Sequence, residues 1–209
     1  MDFAAARKVM VDSQVRVNDV TDRVLQGALL AVPREQFCAA DRAFAAYAET
    51  EVEIAGTRKL MAAREVSKLL MALAPRPGER VLAIAAPYAA AVLAEMGLDV
   101  VAQEADADVF DVTGAALAAS GVETVVAPLT APHGEGYDLI VSEAATPVRP
   151  TAWIAALKTG GRLAVVERSG PAGKAVLYLQ GRDGLSRREL FDAAPPVLAE
   201  MAPLPTFSL

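Results

Sequence analysis

Apolar and polar positions along this chain recur at two periods. Over residues 62–74, Val66, Leu69, Leu70 and Leu73 return at helical spacing, which predicts an amphipathic helix. A second helix is expected over 22–31, with Val24, Leu25, Ala28 and Leu29 on its apolar side. Asn18, Asp19, Thr21 and Asp22 precede it as candidate N-caps. Val32-Pro33 ends it, because the residue before a proline leaves the helical region. Residues 10–22 only alternate loosely. Residues 35–48 read as a short helical or turn segment, 51–54 as a short edge strand, and 56–59 as a polar loop.

The pattern changes at the turn Pro75-Arg76-Pro77-Gly78. Residues 80–85 form a short apolar run suited to a buried parallel strand. An alanine-rich helix is expected over 87–96, with Pro87 in its first turn and Gly97 just past its end. Residues 99–103 read as a second strand with Glu104 at its tip. A helix over 105–120, strands over 123–127 and 137–142, and a helix over 151–157 follow. Thr159-Gly160-Gly161 stops that helix, and a fifth strand covers 162–167. Residues 174–180 and 185–191 flank Arg182-Asp183-Gly184, a hairpin turn. Helices alternate with strands and an antiparallel pair then closes the sheet. This predicts a doubly wound, Rossmann-like α/β fold, mostly parallel with an antiparallel C-terminal edge. Residues 1–76 form an N-terminal helical lobe packed on a main domain of residues 77–209.

Composition narrows the function classes. Of 209 residues, 54% are hydrophobic and only 5% aromatic, so a large core is built from Ala, Val and Leu. A net charge of −6 argues against non-specific nucleic-acid binding, which needs a basic face. Cys38 is the only cysteine, which excludes an intramolecular disulfide and a cysteine metal cage. The first ten residues carry charges where an export signal needs an apolar run. The most apolar window, 81–101, is interrupted by Pro87, Glu95 and Asp99 and is unsuited to spanning a bilayer. A cytoplasmic protein is expected.

Candidate chemistry centres on the unit over 79–104. Its strand, helix, strand and acidic tip are the frame of a nucleotide-cofactor site, in which Glu104 would meet ribose hydroxyls. Glu104 could equally be a solvated residue at a strand end. The intervening turn, Ala85-Ala86-Pro87-Tyr88, holds no glycine, and reads as a tightened structural turn that has lost its ligand. His133, the single histidine, lies in a loop and is expected to be exposed. Ser142, Glu143 and Thr146 follow a strand at the end where α/β sites form. Glu143 has the chemistry of a general base, but a surface carboxylate or a partner of a nearby arginine is the expected role. Arg58, Lys59 and Arg64 read as a solvated basic helix start, and Trp153 as packing its helix on the sheet. No Ser-His-Asp order or metal-ligand spacing is present.

Several stretches, in order, resemble the protein-L-isoaspartate O-methyltransferases. Val-Pro-Arg-Glu-Gln-Phe (32–37) looks like that family's V-P-R-E-x-F, and residues 46–54 are similar to its A-Y-x-D-x-x-L-P-I. Residues 77–82 and 88–97 resemble its first strand and helix, and 137–150 and 157–166 its fourth and fifth strands. The resemblance implies a Rossmann-like domain, S-adenosylmethionine as cofactor and methyl transfer to an isoaspartyl carboxylate. It also places the departures. Ala85, Ala86 and Pro87 stand in place of the family's G-x-G-x-G before Tyr88. Pro128 stands where an adenine-side acid belongs. Met61 stands at the position of a substrate-side hydroxyl, which it cannot mimic as a hydrogen-bond donor. Glu104 alone matches its expected cofactor position. The expectation is a catalytically degenerate relative with a binding or regulatory role, cofactor binding being in doubt and a protein or peptide partner open. An active carboxyl methyltransferase and a Rossmann-like domain for another ligand are the alternatives. Neither a partner nor an oligomeric state follows from the residues.

Overall fold

A computed structural model of the chain describes residues 1–202. The last seven residues assigned above to the main domain lie outside the described residues. The chain starts with α1 (Phe3–Met10), which runs on through a wider turn at Val11–Val15 and a tight one at Arg16–Asn18. No helix is expected here from the sequence, because its apolar face is made of alanines as well as Phe3 and Met10. Asp2 caps it, accepting from the Ala5 N–H. Helix α2 (Arg23–Ala31) begins at Asp22, whose carboxylate accepts from Val24 and Leu25, and ends ahead of Pro33 as expected. Two tight turns (Arg34–Phe37 and Ala40–Ala45) lead to a hairpin of β1 (Val52–Ala55) and β2 (Arg58–Leu60). Residues 56–59 are therefore not all loop: Arg58 and Lys59 belong to a strand. Helix α3 (Ala63–Leu73) buries Val66, Leu69, Leu70 and Leu73, the stripe its spacing predicts.

The main sheet holds β3 (Arg80–Ile84), β4 (Asp99–Glu104), β5 (Glu123–Val126), β6 (Tyr137–Thr146), β7 (Leu157–Glu167), β8 (Gly173–Gly181) and β9 (Gly184–Ala193). Their spatial order is β5-β4-β3-β6-β7-β8-β9, parallel up to β7 and antiparallel from β7 to β9. Leu82 sits between Val101 and Ile140, and Ile140 faces Leu163 on its other side, so the apolar runs form one continuous buried band. Strand order reverses between β3 and β6, and α/β sites form in the crevice at the carboxyl ends of such a pair.

Helices α4 (Pro87–Glu95) and α5 (Ala107–Ala119) cross between β3, β4 and β5, and a short α6 (Thr151–Ala155) precedes β7. Helix α4 is buried from Pro87 to Leu93. It lies between the sheet and α2, which explains the run Ala89-Ala90-Ala91: only small side chains let both layers approach it. Gly97 leaves the helix at φ +86, as its position past the end requires. The expected stop at Thr159-Gly160-Gly161 falls inside β7, as an irregular stretch between the Leu157–Tyr137 and Arg162–Leu139 pairs. Gly161 is required there, because a Cβ would meet the Tyr137 and Lys158 carbonyls at 2.8 Å.

Candidate functional site

The carboxyl ends of β3, β4 and β6 converge at the switch point. The turn leaving β3 keeps a conformation that glycine prefers without having the glycine. Ala85 stands at φ +50, and its N–H donates to the Gln103 carbonyl at 3.0 Å. That region costs a residue with a Cβ about 1–2 kcal/mol. Ala86 and Pro87 follow it into α4, both buried, and Pro87 contributes no N–H to the helix start. Tyr88 is fully buried. Its ring meets Phe37 edge-on at 5.6 Å between centroids and lies 4.6 Å from the Arg34 guanidinium. Its hydroxyl has no partner, and burial pushes it up to about 12.

Glu104 ends β4 almost wholly enclosed, at 1% exposure, and not as a solvated strand tip. The β1–β2 hairpin folds over it and delivers Arg58, whose Nε donates to Glu104 Oε2 at 2.9 Å. The same guanidinium reaches Glu200 Oε1 from Nη2 at 2.6 Å. Glu200 arrives because the C-terminal segment joins the end of β6. The Ala145 N–H donates to the Pro196 carbonyl at 2.8 Å, and the Leu198 N–H to the Ala145 carbonyl at 2.8 Å. Burial pushes the Glu104 carboxyl up to about 7, against the pull of Arg58. Its Oε1 has no donor. A space of about 80 Å³ lies beside it, lined among others by Thr57, Arg58, Asp106 and Glu200.

The basic cluster expected at Arg58, Lys59 and Arg64 is therefore divided. The Arg58 side chain is only 10% exposed, whereas Lys59 and Arg64 point to Glu51 and Glu49 at the surface. The hairpin pleat separates Arg58 from Lys59, since successive strand residues face opposite ways.

Glu143 departs furthest from its expected surface role. Strand β6 loses register with β7 between Val141 and Ala145, which face Ala164 and Val166. The extra residues form a bulge that turns Glu143 inward. Its side chain is 1% exposed. Oε1 accepts from the Ala89 N–H at 2.7 Å, at the start of α4, and Oε2 from the Met61 N–H at 3.3 Å, at the end of β2. Burial raises the carboxyl, and the Ala89 N–H opposes that shift. Met61 is thus tied through its backbone, with its side chain in the core. Arg34, at 0% exposure, lies beside this group. Its Nε donates to the Ala46 carbonyl at 2.8 Å and its Nη2 to the Met61 carbonyl, and Nη1 is unpaired. In the sequence Arg34 stands out only as part of the helix stop at Val32-Pro33-Arg34 and of the Val-Pro-Arg-Glu-Gln-Phe stretch. The one local hint of its role is an arginine directly after a helix-ending proline and before a buried Phe37.

The remaining candidates lie around this centre without joining it. Pro128 is exposed, and its carbonyl and that of Ala131 accept from Gln103 Nε2 at 2.9 Å each. Gln103 Oε1 accepts from the His133 N–H at 2.9 Å, so this buried amide pins the loop. A glutamine directly after the apolar run Val100-Val101-Ala102 is the visible signal for that role. His133 itself is exposed. Trp153 is buried and donates from Nε1 to the Leu129 carbonyl at 2.7 Å. Ser142 accepts from the Ala144 N–H at 3.2 Å, and the Thr146 hydroxyl is buried without a partner. Among the described residues, no group of three His, Cys, Asp or Glu is placed to hold a metal ion. No helix among them is long and apolar enough to cross a membrane.

The architecture is that of a Rossmann-like methyltransferase. A structure from Plasmodium falciparum, assigned as a protein-L-isoaspartate O-methyltransferase and solved with S-adenosyl-L-homocysteine, superposes with a TM-score of 0.77 at 15% identity, covering 93% of this chain and 98% of that one. The family model for protein-L-isoaspartate(D-aspartate) O-methyltransferase matches residues 6–180, and the chain belongs to that family. A protein-L-isoaspartate O-methyltransferase of Methylorubrum extorquens (strain PA1) is 36% identical over 196 residues, 90% of this chain and 86% of that protein. One from Methylorubrum populi is 37% identical over 197 residues, 91% of this chain and 92% of that protein.

Proposed function

We propose that this chain is a catalytically silent member of its family, acting by binding or regulation through a protein partner. One observation carries the reading: the place where the family resemblance puts S-adenosylmethionine is taken up by the chain's own charged side chains. Glu104 Oε2, on the acid matched to the ribose, is held by Arg58 at 2.9 Å. The buried Ala89 N–H, in the first turn of α4 after Pro87 and Tyr88, is held by Glu143 at 2.7 Å. The space beside Glu104 is about 80 Å³, against roughly 300 Å³ or more for pockets that enclose a ligand of cofactor size. As they stand, these residues do not fit the cofactor.

Calorimetric titration of the purified chain with S-adenosylmethionine and S-adenosylhomocysteine tests this. No saturable heat is expected from either, and binding at micromolar affinity would overturn the proposal. Assay of methyl transfer to an isoaspartyl peptide gives a second reading of the same question, with no turnover expected.

An active carboxyl methyltransferase is the second reading. It is favoured by the 36–37% identity to proteins of that name and by Glu104 Oε1, a buried acceptor left without a donor. It requires the hairpin carrying Arg58 to move aside, and cofactor binding in the titration would select it.

A further inference from the structure

The start of α4 has no local cap. Its N-cap residue is Ala86, which offers no side-chain acceptor, and Pro87 supplies no N–H. A helix start buried this deeply leaves donors that must find an acceptor, and helix N-termini favour anions. The acceptor comes from another strand entirely. Glu143 lies 54 residues from Ala89 and 82 from Met61, yet it bridges both of their N–H groups. The bulge in β6 turns it inward to do so. Beside it lies Arg34, a fully buried cation with Nη1 unpaired. Two N–H donors from different elements, a neighbouring guanidinium and exclusion of water together make an anion site.

We infer that Glu143 is a resident ligand: its carboxylate fills an anion site built by the start of α4, the end of β2 and Arg34, and a free small carboxylate takes that site once the side chain is removed. The inference extends the proposed function by naming what holds this part of the site closed. It depends on that reading only in taking the position to be filled from within.

The test is Glu143→Ala, melted in formate, acetate and chloride at matched ionic strength. The variant melts below the wild type, and formate raises its melting temperature with the logarithm of concentration, as a ligand specific to the folded state does. The wild type and Glu143→Gln respond to formate no more than to chloride. An equal response of all three proteins to formate overturns the inference. A second measurement covers the case in which Glu143→Ala does not fold. In the Glu143→Gln protein, the Ala89 amide proton resonance moves upfield and exchanges faster than in the wild type, because a charge-assisted bond has become a neutral one. An unchanged Ala89 resonance overturns the inference. Titration of the wild type with S-adenosylhomocysteine addresses the proposed function alone, so either result can fail without the other.

Discussion

Arg58 donates to Glu104 from Nε at 2.9 Å and to Glu200 from Nη2 at 2.6 Å, so one guanidinium fastens the β1–β2 hairpin to the tip of β4 and to the C-terminal turn. Glu104 is at 1% exposure and the Arg58 side chain at 10%, so the pair is enclosed and not a surface contact. Removing one partner of such a pair leaves the other charge buried alone. Arg58→Met is expected to destabilise the protein by about 3–5 kcal/mol at pH 8. The loss should be smaller at pH 5, where Glu104 can take up a proton. Urea unfolding at the two pH values checks both statements, and an equal loss at each would sink the second.

The Glu104 carboxyl also sets a pH dependence whose sign follows from linkage. Burial raises it from 4.5 to about 7. Between those values the folded state holds a proton that the unfolded chain has released. Stability from this group is therefore fully present below about pH 4.5 and is lost as pH rises through about 7. The full amplitude is roughly 3 kcal/mol. The stability difference between wild type and Glu104→Gln should fall across this window and then level off. Glu143 is raised in the same direction by burial, and its charge raises Glu104 further, so the difference carries the loss of Glu104 together with its coupling to Glu143. A difference that rises with pH would refute the assignment.

Arg34 serves through its shape as much as its charge. It donates to the Ala46 and Met61 carbonyls while its guanidinium lies 4.6 Å from the Tyr88 ring centroid. Arg34→Met should cost about 2–4 kcal/mol, since two buried carbonyls lose their donor. Arg34→Lys should recover little of that, because an ammonium cannot fork to two carbonyls and lie flat on a ring. Recovery of most of the stability by lysine in denaturant titration would contradict this.

Backbone conformation gives a prediction of opposite sign. Ala74 ends α3 at φ +47 and is exposed. Ala74→Gly relieves a left-handed alanine at about 1–2 kcal/mol, against about 0.4–1 kcal/mol for the added freedom of the unfolded chain. A net gain of about 0.5–1 kcal/mol is expected in thermal or denaturant unfolding. Ala85→Gly, at φ +50 in the turn after β3, should also stabilise. A loss at both positions would show that their left-handed geometry carries no strain.

Much of the sheet could be read along the chain because its central strands carry apolar runs buried on both faces, as 81–84 and 139–141 are. The amphipathic stripe of α3, the cap at Asp22 and the hairpin turn at Arg182-Asp183 are also local signals, complete within a few residues. Helix α1 lacks a clear apolar period, and β2 is three residues of which two are basic, so neither carries a local signal. Strand β6 runs on to Thr146, past the expected end at 142, since a bulge is not visible in an alternation of residue types.

The doubly wound order of elements, the family and the absence of glycine from the turn after β3 are all written in the order of residues along the chain. These follow from periodicity and from motifs that occupy contiguous positions. Tertiary structure alone decided what fills the crevice. Arg58 meets Glu104 across 46 residues and Glu200 across 142, and Glu143 meets Met61 across 82. Such pairings depend on how the hairpin, the bulge and the C-terminal segment fold over one sheet edge, and no local pattern encodes them. The reason is electrostatic. A buried carboxylate or helix start takes whichever counter-charge the fold brings within about 3 Å, and in this chain the fold brings its own.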